Sequence, residues 1–178
     1  MNLAPRPSPA DLLAQRLEQT FRRIAATRMA GVPVLNRALQ VQAIGFAPLA
    51  PTADAAPALL GILLTPWFMN LLRVPPALAA DLGARPGSVS VGASVNPPGW
   101  LAEGQSAERR IGAHQLTFVG ASEATLGHYE QCSLFSPMFQ FADQGAAVAT
   151  AREVLRLLRA PQPQPPTAAV PALTGATA

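Results

Sequence analysis

The chain has 178 residues, 49% of them hydrophobic, which suffices for one domain around a real core and excludes wholesale disorder. Its formal charge of +3 and pI near 10.4 do not make a nucleic-acid track, because phosphate binding needs several cations converging on one track and the doublets Arg22-Arg23 and Arg109-Arg110 are far apart. Cys132 is the single cysteine, and with only His114 and His128 beside it the chain has neither an internal disulfide nor a Cys/His zinc site, so no metal and no cofactor are expected.

Residues 1–7 read as a short flexible tail. Ser8-Pro9 opens a helix, serine capping free amides and proline suiting the first turn. Leu13, Leu17, Phe21, Ile24 and Arg28 then step by three and four, carrying the helix to about Met29, before Gly31 and Pro33 stop it. Val41 and Ala43 alternate with Gln40 and Gln42, which predicts a strand to about Leu49. A proline- and alanine-rich turn follows at 50–57.

The stretch 59–72 is apolar on both faces and reads as one long central strand or as two joined at Thr65-Pro66. Residues 74–112 are rich in glycine and proline, with a strand-like Ser-Val-Ser-Val at 88–91. Strands at 115–119 and 129–135 flank 122–127 as an antiparallel hairpin. A helix over 143–159 buries Ala147, Val148, Ala151, Val154, Leu155 and Leu158, with Arg152, Arg156 and Arg159 on a solvated opposite side. The Pro-rich tail 161–178 is expected to be disordered. The fold class is therefore α+β: one mostly antiparallel sheet with N-terminal and C-terminal helices packed on it, in a single domain spanning 8–160.

The search for chemistry returns little. Val-Gly-Ala-Ser occurs at 91–94 and 119–122, but Asn96 and Ala124 stand where a nucleophile elbow needs its last glycine, so Ser94 and Ser122 are expected in turns. His128 and Cys132 are four apart, about 13 Å along a strand, too far for an activating hydrogen bond. A buried, inert thiol is expected. No catalytic residue is assigned; the alternative is a serine- or thiol-dependent hydrolase using Ser122 or Cys132. What remains is a pair of runs dense in aromatics and methionine, Thr65-Pro66-Trp67-Phe68-Met69-Asn70-Leu71-Leu72 and Cys132-Ser133-Leu134-Phe135-Ser136-Pro137-Met138-Phe139. Each reaches a proline or turn, where side chains come to the surface and can recognise apolar peptide. Trp67, Phe68, Met69, Tyr129, Phe135 and Met138 are the candidate protein-binding residues.

The same runs carry a resemblance. Thr65-Pro66-Trp67 with the apolar segment after it, Leu116-Thr117-Phe118 with Val119, Gly127 to Tyr129 and above all Cys132-Ser133-Leu134-Phe135-Ser136-Pro137 resemble the HybE/HupJ/HoxT family of [NiFe]-hydrogenase assembly chaperones, over about residues 10–160. The resemblance implies a non-catalytic, cytoplasmic accessory protein that binds immature hydrogenase subunits before export. Its implied client is the small-subunit precursor, which carries iron-sulfur clusters and a twin-arginine signal, with further contacts to the large subunit. Some relatives carry a fused rubredoxin domain; such an iron site needs four cysteines, so a rubredoxin-like partner of this chain would be a separate polypeptide. The N-terminus lacks the apolar segment of a signal peptide and no apolar run reaches the ~18–20 residues of a membrane span, so no membrane insertion is expected.

Overall fold

A computed structural model describes residues 7–49, 56–83 and 97–160. The strand-like 88–91, Ser94, residues 1–6, 161–178 and most of the 50–57 turn lie outside the described residues. The first helix, α1 (Pro9–Ala26), starts on a reciprocal capping box: the Ser8 side chain accepts from the Asp11 amide while Asp11 reaches back to the Ser8 amide. It ends three residues before the expected Met29, since the Thr27 hydroxyl donates to the Arg23 carbonyl and closes the last turn.

Six strands follow, interrupted by one short helix: β1 (Gln42–Leu49), β2 (Ala58–Leu64), β3 (Met69–Val74), α2 (Pro76–Gly83), β4 (Ser106–Ile111), β5 (His114–Glu123) and β6 (Gly127–Phe135). They form one sheet in the order β1-β2-β3-β6-β5-β4, every neighbouring pair antiparallel. The apolar stretch 59–72 is thus two strands, turned back on each other at 65–68. The glycine- and proline-rich region 74–112 contains α2 and β4, neither of which its composition announces. Ser122 lies within β5, paired with His128, and not in the turn. The last helix, α3 (Gln144–Arg159), is capped by Asp143, whose side chain accepts from the Ala146 amide at 2.8 Å.

The terminal helices cover opposite faces. On one, Leu13, Leu17 and Phe21 of α1 meet Leu59, Leu63, Leu72 and Tyr129; on the other, Ala147, Ala151 and Leu155 of α3 meet Leu60, Ile62, Leu64, Leu71 and Phe118. With both faces covered, β2 and β3 are buried at every position, which is why their sequence lacks alternation. Arg159 is not simply solvated: it donates to the carbonyls of Gly45 and Leu60, tying the end of α3 to β1 and β2. Among the described residues no helix is long and apolar enough to cross a membrane.

Candidate functional site

Three loops meet at the end of the sheet where β3 begins and β6 ends. The 65–68 turn is built by Thr65, a fully buried residue whose hydroxyl accepts from the Trp67 and Phe68 amides and donates to the Phe68 carbonyl. Asn36, in the loop after α1, fastens the rest. Its backbone amide donates to the Pro66 carbonyl at 2.8 Å, and its side-chain amide donates to the carbonyls of Met138 (3.0 Å) and Phe141 (2.8 Å). The Ser136 hydroxyl donates to the Trp67 carbonyl. Edge-to-face rings lock the apolar side chains: Trp67 on Phe68 at 5.5 Å, Phe68 on Phe21 at 5.8 Å, and Phe135 on Phe141 at 5.2 Å.

Within this cluster the candidate residues separate. Trp67, Phe68 and Phe135 are half-buried at the rim. Met69 and Met138 have no exposed surface and belong to the core under α3, a correction to the surface role expected for them. Tyr129 is likewise corrected: it is buried on the α1 face, near the far end of β6, and burial with the nearby Glu123 carboxylate pushes its phenol up to about 12. The most exposed aromatic is instead Phe139, 59% accessible, with Val34 at 40% in the loop that holds Asn36. Phe139 sits in a turn between the buried Met138 and Phe141, which points it outward. Asn36, Phe139 and Val34 carry no periodic signal in the sequence.

The chemical candidates do not assemble. Ser122 and His128 face each other across β5 and β6, but the Ser122 hydroxyl donates to Glu103 at 2.7 Å and the His128 Nε2 is taken by the Leu101 carbonyl. The Cys132 thiol is half-buried, and burial pushes its pKa up, away from the reactive thiolate. Among the described residues no three His, Cys, Asp or Glu side chains gather as a metal site.

The opposite end of the sheet holds a charge cluster. Arg73 of β3 and Glu130 of β6 are fully buried and ion-paired, and Arg109 of β4 adds a two-pronged contact to Glu130 through Nε (3.2 Å) and Nη2 (2.8 Å). The Leu101 amide donates to the same carboxylate, and the Arg73 guanidinium stacks on Trp100 at 4.9 Å. Burial opposes ionisation of Glu130, but the Arg109 hydrogen bonds, the Arg73 charge and the Leu101 amide outweigh it and hold the carboxyl below its ordinary range. This cluster clamps the segment 97–105 across the sheet. That segment passes so close to Gly120 that a Cβ there would lie 2.2 Å from the Ala102 carbonyl oxygen. Of the cluster's charged side chains, Arg73 and Glu130 have no exposed surface and Arg109 is 13% exposed.

The molecule is thus an α+β protein with a rigidly held aromatic end and, among its described residues, no assembled catalytic group. The family of the [NiFe]-hydrogenase assembly chaperone HybE matches residues 12–174, and the chain belongs to that family, whose role is accessory to hydrogenase maturation. Protein HoxT from Cupriavidus necator is 50% identical over 157 residues, covering 87% of this chain and 81% of that protein. Hydrogenase expression/formation protein HupJ from Bradyrhizobium diazoefficiens is 34% identical over 160 residues, 89% of this chain and 79% of the relative. A probable rubredoxin HupJ from Rhodobacter capsulatus is 32% identical over 145 residues, 82% of this chain but 44% of its own length. The solution structure of HybE from Escherichia coli shares the fold, with a TM-score of 0.53 at 17% identity over 99% of this chain and 94% of that one.

Proposed function

We infer that this chain holds an apolar segment of an immature hydrogenase subunit, the small-subunit precursor in the first place, against the aromatic end of its sheet. Holding a client means covering apolar surface reversibly, with no bond made or broken, and the chain does so without catalysis, in the cytoplasm, before export. The observation that carries this reading is Phe139, 59% exposed at the same end of the sheet as the half-buried Trp67, on loops that Asn36 fixes in place. A large aromatic left in water on a rigid support contributes its burial to a partner without a large ordering cost. The large subunit is a further contact. A rubredoxin-like protein would act as a separate chain, since this one has a single cysteine and the iron site takes four.

The test is calorimetric binding of purified small-subunit precursor to the wild-type chain and to Phe139→Ser. Loss of a hot-spot aromatic, at about 2 kcal/mol or more, weakens binding roughly thirtyfold. Unchanged affinity in a folded Phe139→Ser protein removes this end from the interface.

A further inference from the structure

The sheet has two edges, β1 and β4, and the structure treats them differently. In and just before the first half of β1, side chains occupy outward backbone groups. The Ala43 amide donates to Glu18 at 3.1 Å, the Gln40 amide donates to the Gln144 side chain at 2.9 Å, and the Gly45 carbonyl accepts from Arg159 at 2.5 Å. A bulge between Ile44 and Ala47 also bends this edge. Among the described residues the other edge shows none of these features. The β4 register with β5 is unbroken from Ser106 to Ile111, and no proline interrupts it.

The pairing pattern fixes which β4 groups point outward. A two-residue turn joins Ile111 to its partner His114, so Ile111, Arg109 and Ala107 exchange backbone bonds with β5. The Gly120 amide donating to the Gln105 carbonyl at 2.8 Å continues the same alternation. Ser106, Glu108 and Arg110 therefore aim their N–H and C=O at the open side, with no partner among the described residues. Their side chains are exposed as well.

This edge is complementary to itself. Antiparallel pairing about a two-fold axis at Arg109 sets Glu108 opposite the second copy's Arg110, and Arg110 opposite its Glu108, both as hydrogen-bonded pairs on the exposed face. Moving the axis to Glu108 or to Arg110 opposes like charges, and moving it to Ala107 or Ile111 loses both opposite-charge pairs, so the register about Arg109 is the favoured one. On the other face the two Arg109 side chains meet near the axis, but each guanidinium is turned inward onto Glu130, with 13% of the side chain exposed. We propose that the chain self-associates through β4, joining two six-stranded sheets into one continuous sheet. The contact is independent of the aromatic end and leaves both copies of it open.

The test is the monomer–dimer equilibrium of the full chain by sedimentation equilibrium. Glu108→Arg alone, or Arg110→Glu alone, each enters the interface twice and is expected to raise the dimer dissociation constant about tenfold or more. The double reversal E108R/R110E restores opposite charges and returns it to within about threefold of wild type. Thermal melting checks that each variant is folded. If a reversal unfolds the chain, Glu108→Gln and Arg110→Gln replace it, each expected to weaken the dimer about threefold. A wild-type chain that stays monomeric at its highest soluble concentration overturns the proposal. So does a dimer indifferent to the single changes, or one that the double reversal fails to restore.

Discussion

The two ends of the sheet are built from different materials and age differently under substitution. At the aromatic end, rings pack on rings and the backbone is tied by neutral hydrogen bonds to Asn36; part of the apolar surface stays in water. At the other end, two guanidinium–carboxylate contacts fix the Glu130 carboxylate, and the Leu101 amide donating to that carboxylate holds the 97–105 segment down. A buried ion pair adds little net stability over an apolar replacement, but removing one partner strands the rest. Phe139, by contrast, is mostly in water and can be truncated with small cost to the fold. The contrast teaches that charge pairing fixes the backbone at one end, while ring packing at the other leaves part of its apolar surface in water.

The largest effect should come from Glu130→Ala, which leaves Arg73 and Arg109 without their shared carboxylate. Such a break costs about 3–5 kcal/mol, read by denaturant unfolding, and a loss below about 1 kcal/mol would contradict the assignment of a clamp. The same group gives a pH signature. Its folded pKa is depressed, so its stabilisation is present above the unfolded value of about 4.3 and is lost as pH falls through the lower folded one. The wild type should therefore lose stability more steeply than Glu130→Gln in that acid window.

A smaller effect is expected of Gly120→Ala. The added methyl meets the Ala102 and Leu101 carbonyl oxygens, and relieving the overlap by lifting the 97–105 segment should cost about 1–3 kcal/mol. Hydrogen exchange should show that loss as weakened protection at Gly104 and Leu101, with the aromatic end unchanged. Faster exchange at both ends would mean the two are one cooperative unit.

Much of the fold is legible in the chain. Ser8-Pro9 marks a helix start through cap chemistry, the 59–72 run announces buried central strands, and Pro66 marks where they part. That α1 and α3 lie on opposite faces is not legible, because each amphipathic stripe fits either face. The charge cluster is hidden for another reason: Arg73 and Glu130 are 57 positions apart, and only the β3–β6 register brings them together. Arg109 goes in while its neighbour Arg110 goes out through strand alternation, a division that the doublet by itself does not announce. At the aromatic end, Trp67, Phe68 and Phe135 follow from their place beside turns. Met69 and Met138 mislead because the same runs continue into core, and Phe139 escapes because nothing local distinguishes it from Phe141.

The smallest effect on stability, and the largest on binding, belongs to Phe139. Its removal should leave unfolding within about 0.5 kcal/mol of wild type, because so much of the ring is already in water. The most direct measurement places a photo-crosslinking residue at position 139 and, in a second protein, at position 103 in the clamped segment, where Glu103 is exposed. Each is mixed with purified small-subunit precursor and irradiated. The account predicts that position 139 captures the precursor and position 103 does not. Capture from position 103 alone would contradict it and move the client to the charged end of the sheet.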